Sequence, residues 1–286
     1  MADQVRFLVV DGYNKEARAE LVAGGASVAG ELYGRVLERC LPGAQCDVIF
    51  AADPDAALAQ GVGLERYDGV VWTGSILTAY QDDPRVSRQI ELARAIFGAG
   101  VPSFGSCWAA QIAVVAAGGA VQAHPRGREM VVARKISLTP EGRSHPLYEG
   151  KPAVFDALTS HLDEISQLPP DSLVLASSPF TRVQAVAVKS GRSTFWGVQY
   201  HPEFDLHEMA RIIHCRTDSL IEAGLFADRA AASDYIDKLE ALHQDPTRKD
   251  IAWLLGIDAD IMDEAIRLAE VRNWINRLVL PDKQGK

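Results

Sequence analysis

The run Val101-Pro102-Ser103-Phe104-Gly105-Ser106-Cys107-Trp108-Ala109-Ala110-Gln111 decides the fold. It is apolar and strand-like up to Gly105, then passes through Cys107 into a helix-like stretch from about Trp108 to Gly118-Gly119. A cysteine between strand and helix, with small residues two before and two after it, has the form of a nucleophile elbow. Such a turn lifts the side chain above a parallel sheet and aims it at the start of a helix. The small neighbours are required because strand and helix approach closely there. Unpaired N–H groups and the positive dipole end of the helix favour negative charge at that point. The same pattern also describes a buried cysteine at a strand end, since cysteine is often buried.

Outward from the elbow, strand and helix signals alternate. Val5 to Val10 and Cys46 to Phe50 read as strands around a helix at about Val28 to Cys40. Gly69 to Thr73 is the next strand, followed by a helix from about Pro84 to Gly98. After the elbow come five closely spaced strands: Val131 to Leu138, Ala153 to Leu158, Leu173 to Ala176, Ala185 to Lys189 and Thr194 to Val198. Alternation indicates an α/β fold, a doubly wound and mostly parallel sheet covered on both faces. The crowded second half predicts an antiparallel extension. Ligands in such sheets bind beyond the carboxyl ends of the strands. Gly12, Gly74, Cys107 and His201 all follow strand ends, as one shared site demands.

A second segment supplies the partner chemistry. Phe195-Trp196-Gly197-Val198-Gln199-Tyr200-His201-Pro202-Glu203 reads as a short buried strand ending in histidine, with a carboxylate two residues on. Cysteine catalysis needs a base that takes and returns a proton near neutral pH, which suits His201. It also needs a group that fixes the imidazole tautomer, which suits Glu203. Pro202 stiffens the backbone between them.

Gly105-x-Cys107-x-Ala109-x-Gln111 with the distant Gly197-x-Gln199-Tyr200-His201-Pro202-Glu203 resembles the class I (triad) glutamine amidotransferase family, over about residues 5 to 205. Ala109 stands where that family usually has glycine. The resemblance implies a flavodoxin-like sheet, with Cys107 as nucleophile, His201 as general base and acid, and Glu203 orienting His201. It places the oxyanion loop at Tyr67 to Ser75, with the N–H groups of Gly74 and Trp108 facing the developing negative oxygen. Thr159-Ser160-His161-Leu162-Asp163 resembles the stretch that holds a glutamyl substrate. Ser160 and His161 would donate hydrogen bonds, Asp163 would meet an ammonium, and Gln111 would face the same pocket. The implied reaction is hydrolysis of a γ-glutamyl amide, glutamine or a γ-glutamylated amine, through a thioester and without a metal or organic cofactor. A glutaminase subunit serving a separate synthetase is one alternative, and a catalytically dead binding or regulatory domain is another.

From Leu206 onward the pattern is helical, predicting a C-terminal extension over residues 206–286 packed on the domain at 1–205. Ile261, Ala265, Leu268, Val271, Ile275 and Leu278 make one apolar stripe whose default use is packing, with pocket shaping or a homodimer face as other uses. Residues 13–30, with three spaced glycines, suggest a mobile cover near the site. The chain has 286 residues, 48% of them hydrophobic, enough for a sizeable core. A net charge of −9 with no basic cluster argues against a nucleic-acid surface. Met1-Ala2-Asp3-Gln4 leads straight into the first strand, leaving no signal peptide, and no apolar run reaches membrane-span length. The cysteines at 40, 46, 107 and 215 lack C-x-x-C spacing, which argues against a metal site and a disulfide framework and for a reducing, cytoplasmic setting.

Overall fold

The computed structural model describes residues 4–58 and 60–285; Met1 to Asp3 of the opening segment lie outside it. Eleven strands are present among these residues: β1 (Arg6–Asp11), β2 (Gln45–Phe50), β3 (Gly69–Trp72), β4 (Ser103–Ser106), β5 (Ala120–Ala123), β6 (Glu129–Leu138), β7 (Val154–His161), β8 (Asp163–Gln167), β9 (Ser172–Ser177), β10 (Ala185–Ser190) and β11 (Ser193–Val198). Nine form one sheet in the order β2-β1-β3-β4-β11-β10-β9-β6-β7, and β5 pairs with β8 separately. The first five run parallel, and the last four join antiparallel. The mixed sheet is therefore the doubly wound one expected, with its antiparallel extension.

Side-chain alternation along β1 shows why both faces are covered. Phe7 and Val9 join one buried cluster and Leu8 and Val10 the other. Helices α1 (Lys15–Ala23) and α2 (Ala29–Cys40) follow β1; α3 (Pro84–Ala99) and α4 (Trp108–Ala116) follow β3 and β4. Buried residues of α3 and α4, among them Ile96, Phe97 and Ile112, fill the Leu8 face. Tyr33, Val36 and Leu37 of α2 fill the Phe7 face.

After the short α5 (Pro140–Ser144), the later residues supply α6 (Leu206–Glu222), α7 (Arg229–Gln244) and α8 (Lys249–Leu255). They do not end there: Leu268, Val271, Trp274, Ile275 and Val279 complete the Phe7 face of the sheet. The Trp274 ring lies 5.5 Å from Phe7 and 5.9 Å from Phe104, centroid to centroid. The stripe expected as one helix is instead broken into short turns at Ala259–Met262, Glu264–Arg267 and Ala269–Trp274. Asp263 causes one break, because its side chain accepts from the Ala265 N–H and starts a new helix. Ala265 is exposed as a result, and Ile261 belongs to a different cluster, with α6 and α7.

A second correction concerns residues 13–30. They include a helix, α1, where the spaced glycines had suggested an irregular connection. Asn14 caps α1 by accepting from the Ala17 N–H, and Ala17 and Leu21 bury against the α6 cluster. Leucine and alanine in that helical register had an apolar partner available only after the chain had folded back. No helix among the described residues is long and apolar enough to cross a membrane.

Candidate active site

Parallel pairing of β4 with β11 brings the two motifs together. Gly105 registers with Gly197 and Ser106 with Val198, and the Cys107 N–H continues the ladder to the Val198 carbonyl at 2.7 Å. The chain then turns sharply: Cys107 has φ 55° and ψ −107°, a strained left-handed region for a residue with a side chain. Gly105 permits that turn. A Cβ on it would lie 2.4 Å from the Ala109 methyl and 2.6 Å from the Trp72 carbonyl oxygen. Ala109 is thus tolerated only because its neighbour carries no side chain. The first turn of α4 is fixed by Trp108, whose Nε1 donates to Gln89 Oε1 at 2.8 Å.

His201 sits three residues beyond β11, and its N–H donates to the Leu158 carbonyl of β7 at 2.8 Å. Two residues further along β7, the Ser160 carbonyl accepts from the Cys107 thiol at 3.7 Å. One strand therefore locates both groups. The Cys107 sulfur lies close enough to the His201 ring to act on its charge. On the far side of the ring, His201 Nδ1 lies 2.7 Å from Glu203 Oε1. Phe204 stacks flat on the imidazole with centroids 4.1 Å apart.

Burial pulls the His201 pKa down, but the Glu203 carboxylate and the Cys107 sulfur outweigh it and raise it to about 9. Glu203 is held in turn by two residues that motif reasoning passed over. Ser106 Oγ donates to Glu203 Oε1 at 2.7 Å, and the Tyr33 hydroxyl lies 3.1 Å from Oε2 and 2.8 Å from Ser106 Oγ. Burial keeps the Tyr33 phenol well above its ordinary pKa, so it remains a donor. Ser106 was legible, since it adjoins Cys107; Tyr33 carried no signal beyond its place on the buried face of α2.

Cys107, Trp108, Gln111, Ser160, His161 and Asp163 line one cavity of about 210 Å³. That is smaller than the roughly 300–1,000 Å³ of pockets for drug-sized ligands and suits an amino-acid-sized group. Gly74 is not on this wall. It packs behind it, where a Cβ would come within 3.1 Å of His201 Cε1, and Ser75 takes its place at the cavity. Ser75 is anchored by its Oγ, which donates to the Gly12 carbonyl at 2.8 Å.

His161 departs most from expectation. Both ring nitrogens are already engaged, Nδ1 with the Asp163 carbonyl at 3.0 Å and Nε2 with Glu129 Oε2 at 2.8 Å. A ring so committed has no hydrogen bond left to donate to a ligand. Asp163 is available: its Oδ1 accepts from the Tyr80 hydroxyl at 3.1 Å, and burial raises its pKa. Gln111 Nε2 donates to the Asp163 carbonyl at 3.3 Å and to Gln199 Oε1 at 3.2 Å, which fixes its amide at the wall. Two arginines absent from motif reasoning, Arg128 and Arg216, also line the cavity. Arg216 belongs to α6 and donates from Nη1 to Ser160 Oγ. Nothing in the local sequence announces it, because only the packing of α6 brings it there.

The other cysteines differ in setting. Burial pushes Cys40 and Cys46 up to about 11, and all four cysteines are free thiols.

Comparison with known proteins bears on the family and the fold. The model of the family described as "Glutamine amidotransferase class-I" matches residues 30–215. A curated relative, the gamma-glutamyl-L-1-hydroxyisopropylamide hydrolase of a Pseudomonas species, is 32% identical over 99% of this chain and 96% of its own length. A GMP synthase [glutamine-hydrolyzing] from Leifsonia xyli is 31% identical over 52% of this chain, which spans only 28% of that relative's length. Among solved structures, a glutamine amidotransferase from Thermotoga maritima superposes with a TM-score of 0.68 over 96% of this chain and 98% of that one, at 17% identity.

Proposed function

The chain belongs to the class-I glutamine amidotransferase family, and from that premise we propose that this amidohydrolase cuts a γ-glutamyl amide through a cysteine thioester. One observation carries the reading: Cys107, beside the ring of His201, which is hydrogen-bonded to Glu203, opens into a cavity of amino-acid size. The sulfur attacks the side-chain carbonyl carbon. Negative charge on the oxygen is received by the Trp108 N–H at the start of α4 and by backbone of the Gly74-Ser75 turn. His201, in its protonated form, gives its proton to the departing amine as the C–N bond breaks. A water then loses a proton to the neutral imidazole and its oxygen attacks the thioester, giving glutamate and the free thiol. Glu203 and, behind it, Ser106 and Tyr33 keep Nδ1 occupied so that the other ring nitrogen serves the reaction.

The leaving group is an organic amine in this proposal. The relative that this chain matches end to end is named for an alkylamide, whereas the synthetase relatives match it in part. Residues beyond the family match also reach the cavity, through Arg216. The second reading, a glutaminase feeding a separate synthetase, is favoured by those GMP synthase matches. A panel of γ-glutamyl alkylamides, γ-glutamyl anilides and glutamine, assayed with the purified chain alone, separates the two. Faster cleavage of the substituted amides than of glutamine is expected. Glutamine turnover that appears only with an added synthetase would favour the second reading. Cys107→Ala should reduce either activity by at least about 10³-fold.

A further inference from the structure

We infer that Arg128 and Arg216 form a carboxylate-binding site in the Cys107 cavity, and that it takes the α-carboxylate of the glutamyl group. The inference rests on the γ-glutamyl reading above and names the groups that would recognise such a substrate.

Arg128 lines the cavity at the entry to β6, only partly exposed, and makes no hydrogen bond or ion pair among the described residues. Arg216, on the same wall, has neutral partners alone: Ser160 Oγ and, at 3.5 Å, the Tyr13 hydroxyl. Two guanidinium charges thus face one concavity with no carboxylate bonded to either. Burial, and next the charge of Arg216, pull Arg128 below its ordinary pKa, so its charged form is held at a cost. An entering anion removes that cost, and guanidinium groups match carboxylates in geometry. Asp163 adds the complementary charge. It lines the same wall and lies close enough to act electrostatically on Arg128. An α-carboxylate and an α-ammonium share one carbon, so their anchors must be neighbours, as Arg128 and Asp163 are. Arg216 lies one residue past the part of the chain that the family model describes, so this half of the site belongs to the helical C-terminal region.

A carboxylate carried by the leaving amine would use the same chemistry, and three probes separate the sources. They are γ-glutamyl-p-nitroanilide, 4-aminobutyryl-p-nitroanilide (which lacks the α-carboxylate) and γ-glutamylglycine (which adds one on the amine). Binding is measured by calorimetry in Cys107→Ala protein, which holds ligand without turnover. Adding Arg128→Met should weaken γ-glutamyl-p-nitroanilide about 10- to 100-fold, the range for losing a charged hydrogen bond. It should leave 4-aminobutyryl-p-nitroanilide unchanged, and Arg128→Lys should recover part of the loss. Equal weakening of both anilides would mark Arg128 as structural and overturn the site. A loss confined to γ-glutamylglycine would move the carboxylate to the leaving amine and overturn the assignment. If the chain with Cys107 intact cleaves the anilide and Arg128→Met leaves binding unaltered, this inference alone falls. If that chain neither binds nor cleaves it, the hydrolase reading falls first and takes the site with it.

Discussion

His201 is a buried imidazole between a carboxylate and a thiol, and the balance of those neighbours sets its chemistry. Its pKa, raised from 6.5 to about 9, means that proton binding stabilises the fold. The contribution is complete below about 6.5 and is lost as pH rises through about 9. Chemical denaturation followed across neutral and alkaline pH should show that loss, and kcat/KM should fall over the same window as the ring can no longer protonate the amine. Glu203→Gln removes the larger of the two raising influences, so both limbs should move to lower pH. Limbs that stay in place would show that Glu203 does not govern the ring. His161 shows the opposite use of the same residue type. Held at both nitrogens, it braces the Asp163 backbone and has no donor free for a ligand.

At the scale of elements, a parallel pair of strands does most of the positioning. β4 and β11 lie side by side with their ends in register, so motifs some ninety residues apart become neighbours. The face beneath them is closed by Trp274, fully buried against Phe7 and Phe104. Trp274→Ala should destabilise the protein by about 3–5 kcal/mol. Trp274→Phe should cost much less, because the indole Nε1 has no hydrogen-bond partner among the described residues to lose. Urea melts of the two variants check this, and similar losses in both would mean that packing volume is not what holds this face. Strands with apolar alternation and the Gly105 elbow were plain in the sequence. The pairs β5 and β8 were not, being short segments of four and five residues with exposed ends. Helix α1 was hidden by its polar composition, and only its packing on α6 accounts for it.

The whole molecule joins pieces that no local pattern relates. Residues 206–285 contact the sheet's own core: Glu270 pairs with Lys151 at 2.8 Å in full burial, and the Tyr200 hydroxyl bonds to Glu270 one residue before His201. The C-terminal helices therefore brace the histidine through Tyr200 and reach the cavity through Arg216. The proposed triad of Cys107, His201 and Glu203 was legible because its chemistry-bearing residues follow strand ends. The cavity's cations were not, since Arg128 and Arg216 look like ordinary surface arginines until packing sets them side by side. The assembly of sulfur, imidazole and carboxylate at one rim is the central claim, and a trapped acyl-enzyme tests it most directly. Wild-type protein mixed with γ-glutamyl-p-nitroanilide, quenched in acid during turnover and digested for peptide mass spectrometry, should carry a glutamyl group on the peptide containing Cys107, absent from Cys107→Ala. Full turnover with no adduct, or with the glutamyl group on Cys40, Cys46 or Cys215, would contradict the account.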